Sequence, residues 1–280
     1  PGVEQLLTNT LDPPAHPYIS TGLADSKFGL SEAAIERLRG RLRKHLHGDA
    51  LNRVEVHGLH CHLGSMLHSI EPLADAAQLL TALSMTLRAD GHPIDTIDLG
   101  GGLTVDYSRK GLAIPTPGEL IDAIEPVLAG TGLKLWLEPG RSLVARSGAL
   151  IARVIGSKER PPAPSEAPPP GSEGHIHRAG EGSPHPRSFL VVDASMAQLI
   201  RPALYGAYHH IELCEDQPVS DGQVPATPKD ARLFDVVGPI CESGDFLGQG
   251  RLLRTPAEGD AVIIYDAGAY GMAMASRYNL

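Results

Sequence analysis

The chain has 280 residues, 42% of them hydrophobic, enough to bury the core of one large domain or two ordinary ones. A formal charge of −9 with no long run of Lys or Arg argues against a nucleic-acid or anionic-membrane partner, because phosphate binding needs a clustered basic footprint. Cys61, Cys214 and Cys241 form no CxxC pair, which fits a reducing compartment, and no apolar stretch is long enough to span a bilayer.

Residues 31–46 read as a helix, with Ser31 as N-cap and Ile35, Leu38 and Leu42 at helical spacing. Residues 54–59 read as a strand that runs into the loop His60-Cys61-His62-Leu63-Gly64-Ser65. A helix is expected over 71–89, with Leu73, Ala76, Leu80 and Leu83 on one face. A strand over 96–99 then leads into Gly100-Gly101-Gly102, a helix covers 117–129, and a strand over 134–137 ends in Glu138-Pro139-Gly140-Arg141. Strands alternating with helices, each strand ending in a polar or glycine-rich loop, argue for parallel βα units whose C-terminal edge binds ligands. After Ser147 the texture changes to short strand-like runs over 150–155, 189–192, 209–213, 233–237 and 261–265, expected to form an antiparallel β domain. Residues 160–187, dominated by Pro, Gly, Ser and His, have too little apolar surface to order themselves and are expected as a disordered insertion between two strands. The division expected is a βα domain over 1–147 and a β domain over 148–280.

Several groups along this chain are chemically suggestive, each with a plainer reading beside it. The glycine run could cradle an anion with backbone N–H groups or simply make a tight turn. Glu138 could accept a hydrogen bond from a ring N–H while Arg141 grips a carboxylate or phosphate, or the two could be a surface ion pair. His60 and His62 share one strand face and His57 the other, and no acidic or cysteine partner lies at a diagnostic spacing, so no metal is expected. His62 could pack flat on an aromatic cofactor or be a hydrogen-bonded core histidine. Cys241-Glu242-Ser243-Gly244-Asp245 places a thiol beside two carboxylates, a candidate proton donor or a buried structural cysteine. Arg201-Pro202-Ala203-Leu204-Tyr205 and Asp266-Ala267-Gly268-Ala269-Tyr270 each set a phenol near a cationic or flexible group.

Taken together and in this order, these motifs resemble the alanine-racemase-fold, pyridoxal-phosphate-dependent decarboxylases, and within that group the diaminopimelate decarboxylases. His16-Pro17-Tyr18-Ile19-Ser20-Thr21-Gly22-Leu23 with Lys27-Phe28-Gly29 adds to the likeness. The resemblance implies α/β plus β architecture: part of a cofactor-binding (β/α)8 barrel followed by an antiparallel β-barrel or sandwich domain. It implies pyridoxal 5'-phosphate as cofactor and decarboxylation of meso-2,6-diaminopimelate to L-lysine and CO2. By the same resemblance His62 stacks on the pyridine ring and Glu138 bonds its nitrogen. Ser65, Gly100, Gly101, Gly102, Gly140, Arg141 and Tyr270 hold the cofactor. Arg141, Arg201, Tyr205, Glu242 and Tyr270 bind the amino-acid substrate, and Cys241, His62 and Glu138 form the catalytic set. The family's Cys-Glu loop enters a neighbouring subunit's site, which implies a homodimer. The compartment implied is cytoplasmic, or plastid in a eukaryote.

The family's Schiff-base lysine stands on an early barrel strand in a Lys-Ala-Asn type of context. Lys27, Lys44, Lys110, Lys134, Lys158 and Lys229 do not match that context, so the chain is expected to lack the N-terminal part of the barrel and to be inactive as it stands. Two other readings are a non-catalytic homologue that regulates a partner, and a decarboxylase acting on ornithine or arginine.

Overall fold

The computed structural model describes residues 29–45, 56–159, 188–214 and 230–279. The expected insertion 160–187, the motif 16–23 with Lys27, and the start of the first strand lie outside the described residues. Two compact units are present: Pro1–Val105 with Ala113–Ser142, and Asp106–Leu112 with Leu143–Leu280.

The first unit contains helix α1 (Glu32–His45), strand β1 (Gly58–His60), α2 (Glu71–Ala89), β2 (Thr96–Asp98), α3 (Pro117–Leu128) and β3 (Lys134–Trp136). The strands form a parallel sheet in the order β1-β2-β3, with Leu59, Ile97 and Leu135 in one row and His60, Asp98 and Trp136 in the next. The pleat sends these rows to opposite faces. The apolar row packs with Leu73, Ala76, Ala77 and Leu80 of α2 and Leu120 and Ile124 of α3 into one core. Two devices fix the helices. Arg88, in the last turn of α2, donates from Nε to Ile94 O (2.6 Å) and from Nη1 to Thr131 O (2.6 Å). α3 starts in a capping box, where Thr116 Oγ1 accepts from Glu119 N (3.2 Å) and Glu119 Oε2 accepts from Thr116 N (2.8 Å). Each strand therefore ends at a defined height, and the polar row His60, Asp98, Trp136 faces away from the helices.

A short helix, α4 (Gly140–Val144), carries the chain into the second unit. That unit holds β4 (Leu150–Glu159), β5 (Ser188–Val192), α5 (Arg201–Tyr205), β6 (Ile211–Leu213), β7 (Ala231–Val237), β8 (Phe246–Arg254) and β9 (Ala261–Ile264). They form one sheet in the order β6-β9-β4-β5-β7-β8. The expected antiparallel β domain is present, with one parallel pairing that the sequence did not announce, that of β5 with β7. The chain reaches β7 only after α5 and β6, and a connection of that length is what a parallel pair requires. β8 was not expected either, since Gly248 and Gly250 interrupt any alternation and its register with β7 shifts twice. Ala152, Val154, Leu190, Val192, Phe234, Val236, Leu247, Val262 and Ile264 are buried between the sheet's strands and loops as one core.

Candidate active site

In the first unit the glycine turn after β2 draws the three strand ends together. Cys61 N donates to Asp98 O (2.9 Å), Gly100 N to Asp98 Oδ1 (2.9 Å), and Glu138 N to Gly100 O (2.8 Å). Gly100 has φ +67°, and a Cβ there would lie 2.7 Å from Cys61 O and from His62 Nδ1. A Cβ on Gly101 would fall on Glu138 O. Leu67 N donates to Gly102 O (2.9 Å), which ties down the loop carrying half-buried Ser65. Two glycine N–H groups are thus committed inside the loop, that of Gly100 to Asp98 and that of Gly101 to His62 Nδ1 at 3.4 Å. Asp98, the residue that leads into the glycine run, starts the turn.

His62 is half-buried, and burial pushes its imidazole below the ordinary value near 6.5; the Glu138 and Asp98 carboxylates oppose that and the neighbouring His60 adds to it. Glu138 is exposed, with Oε2 3.7 Å from His60 Nε2. Sequence spacing gives His60 no acidic partner, yet the parallel register supplies two. His60, Asp98 and Glu138 place ligand atoms within 4.8 Å of one another, and two of the three side chains are open to solvent. Gly140 is exposed, and Arg141 is buried in α4. A phosphorylated pyridine fits this donor set. It would find an imidazole that burial biases toward its neutral form, a carboxylate reachable from solvent, and a tight glycine turn packed against Cys61 O and Glu138 O.

The second unit holds the remaining candidates. Arg201 opens α5, which ends at Gly206 in the left-handed region (φ +63°) with its N–H on Pro202 O (3.0 Å). The Arg201 side chain is buried, with Nη1 2.7 Å from His209 Nε2 and its guanidinium carbon 4.8 Å from the Tyr107 ring centroid. Tyr205 is half-buried. Tyr270, 41% exposed, sits at φ +62° and closes a loop that is tightly docked. Ala267 N donates to Gly148 O (2.8 Å), Gly268 N donates to Ala145 O (3.0 Å), and a Cβ on Gly268 would strike Val144 O. Arg109 grips the same loop through Nε to Asp266 Oδ2 (3.2 Å) and Nη2 to Asp266 Oδ1 (3.1 Å).

Cys241 and Glu242 are exposed. Asp245, expected to flank the thiol, instead buries its carboxylate and accepts from Met196 N (2.6 Å) and Ile240 N (2.8 Å), pinning the loop that presents Cys241. A hydrogen bond to Glu242 raises the Tyr278 phenol, helped by the charges of Glu242 and Cys241. Sequence reading missed Tyr107, Arg109 and His209, which meet His209, Asp266 and Tyr265 from distant parts of the chain.

Family models for pyridoxal-dependent decarboxylases match twice, the pyridoxal binding domain over residues 8–145 and the C-terminal sheet domain over residues 120–268. A probable chloroplastic diaminopimelate decarboxylase of Oryza sativa subsp. japonica is 38% identical over 270 residues, covering 96% of this chain and 47% of that protein. A diaminopimelate decarboxylase of Neisseria meningitidis serogroup A is also 38% identical over 270 residues, covering 96% of this chain and 56% of the relative. The crystal structure of diaminopimelate decarboxylase from Helicobacter pylori complexed with L-lysine is similar at a TM-score of 0.71 and 32% identity, covering 94% of this chain and 55% of that one. The chain spans about half the length of the curated relatives it matches. With two matched domains in the order that the βα unit and the sheet unit take here, the chain belongs to the pyridoxal-dependent decarboxylase family.

Proposed function

We propose that the protein works in the decarboxylation of meso-2,6-diaminopimelate to L-lysine and CO2. The observation that carries this reading is the exposed Glu138 carboxylate at the end of β3, beside a neutral His62 and the glycine turn. The relatives bearing the name diaminopimelate decarboxylase, and the L-lysine in the Helicobacter pylori structure, support the substrate class.

When bound, pyridoxal phosphate supplies a conjugated ring that takes up the electron pair left as CO2 departs. In the proposed division of labour Glu138 holds a proton on the ring nitrogen, and His62, kept uncharged by burial, lies against the ring without competing for that carboxylate. Ser65, Gly102, Gly140, Arg141 and Tyr270 receive the phosphate, while Gly100 and Gly101, whose N–H groups are committed to Asp98 and His62, shape the turn beside it. Arg141, Arg201 and Tyr205 bind substrate carboxylates, Glu242 reads the distal ammonium, and Cys241 returns a proton to carbon. Exposure of both Cys241 and Glu242 is compatible with a homodimer in which this loop serves a neighbouring subunit; size-exclusion chromatography with light scattering checks the assembly. No helix among the described residues is long and apolar enough to cross a membrane. A cytoplasmic or plastid location is the proposed setting.

Trp136, the single tryptophan, stands in the same cross-strand row as His60 and Asp98, which makes it a built-in reporter. Titration with pyridoxal phosphate is expected to quench its fluorescence saturably, with affinity weakened about tenfold or more in Glu138→Gln through loss of a charge-assisted hydrogen bond. No saturable quenching, or quenching indifferent to Glu138, would refute the cofactor assignment.

A further inference from the structure

His209 and Arg201 are a closely enclosed polar pair in the second unit, 0% and 5% exposed. A guanidinium has N–H donors and no acceptor, so the 2.7 Å contact from Arg201 Nη1 requires the lone pair of His209 to sit on Nε2. The ring proton is then on Nδ1, where it donates to Tyr265 O at 2.8 Å. The Tyr107 ring closes the imidazole edge-on, with centroids 5.1 Å apart at 70°, and also lies 4.8 Å from the Arg201 guanidinium carbon. One neutral tautomer is fixed from both sides.

The choice of acceptor matters. A carboxylate at this position would orient the arginine but also consume its charge in a buried ion pair. An imidazole lone pair orients the guanidinium plane without adding a counter-charge of its own. We propose that His209 is a positioning residue that sets Arg201 for the substrate carboxylate. This rests on the reading of Arg201 as a carboxylate-binding group.

The test uses the full chain loaded with pyridoxal phosphate and titrated calorimetrically with meso-diaminopimelate. His209→Phe, which keeps the ring volume and removes the acceptor, is expected to weaken binding at least about tenfold, the scale of one hydrogen bond to a charged group. His209→Gln, whose side-chain oxygen accepts in place of Nε2, should stay within about threefold of the parent on the same scale. In an Arg201→Met background, His209→Phe should cause no further loss, as expected for a residue that acts only through Arg201. An unchanged affinity in His209→Phe, or an equal loss in the Arg201→Met background, overturns the proposal. If the parent chain does not bind diaminopimelate, the substrate reading fails, and 15N NMR decides the positioning separately. A neutral Nδ1–H signal for His209, with an Arg201 Nε signal that collapses toward the random-coil value in His209→Phe, sustains it. An Arg201 signal indifferent to that substitution ends it.

Discussion

Cys61 and His62 are neighbours in the loop after β1, and the same burial moves their acidities in opposite directions. Burial, reinforced by the Asp98 charge, pushes the Cys61 thiol up to about 12 and keeps it protonated. Iodoacetamide is therefore expected to alkylate the exposed Cys214 and Cys241 well before Cys61, as read by peptide mass spectrometry over time. Early modification of Cys61 in the folded chain would contradict its burial. For His62 the neutral form is favoured in the fold, since desolvation holds its value below the ordinary one near 6.5. The unfolded chain takes up the proton first, so stability is unaffected above that ordinary value. It then declines as pH falls toward the folded value and stops declining below it. Replacing His62 by Gln removes this contribution, and the fall in thermal midpoint between about pH 7 and about pH 5 should be shallower in the variant. An identical slope would mean that His62 does not titrate differently in the two states.

Among the elements, the segment Asp106–Leu112 is notable because it leaves its neighbours in sequence and packs within the sheet unit. Its internal shape comes from Asp106. Burial pushes that carboxyl up, but hydrogen bonds from the Ser108 hydroxyl and the N–H groups of Leu112, Ser108 and Gly111 outweigh it and hold the group below its ordinary value. Its anchor is Arg109, whose side chain covers the Tyr265 ring (4.1 Å from guanidinium carbon to centroid) and forks onto Asp266, only 1% exposed. Arg109→Met should strand a buried carboxylate and cost about 3 kcal/mol in unfolding free energy. Adding Asp266→Asn should recover part of that loss, giving a clear interaction energy in a double-mutant cycle by urea denaturation. If the two single losses simply add, the pair is not what fixes the loop that carries Tyr270.

At the scale of the whole molecule, what could be read from the sequence was what local pattern encodes. Helical spacing marked α2 at Glu71–Ala89, and apolar runs before His60, Gly100 and Glu138 marked the parallel strands whose ends carry those residues. The order of motifs carried the family, so His62, Glu138 and Arg201 were legible before their surroundings were. The unread parts depend on contacts between residues far apart in the chain. Arg109 meets Asp266 across 157 positions, His209 meets Tyr265 across 56, and the parallel partnership of β5 with β7 leaves no mark in either strand. β8 hid behind its two glycines. The same contrast between local and long-range order sets how firmly each unit should hold together. β5 is hydrogen-bonded on one side to β4 and on the other to β7, with Leu190 and Val192 fully buried. β2 is also flanked on both sides, but it is three residues long and its neighbours β1 and β3 alternate exposed and half-buried residues. Amides of β5 and β7 should therefore exchange with deuterium more slowly than those of β2, because opening them disrupts the larger core. Leu190→Ala should cost about 2–5 kcal/mol and speed exchange throughout the six-stranded sheet. Equal protection in β2 and β5, or a Leu190→Ala effect confined to β5 itself, would show that the sheet unit does not open as one cooperative body.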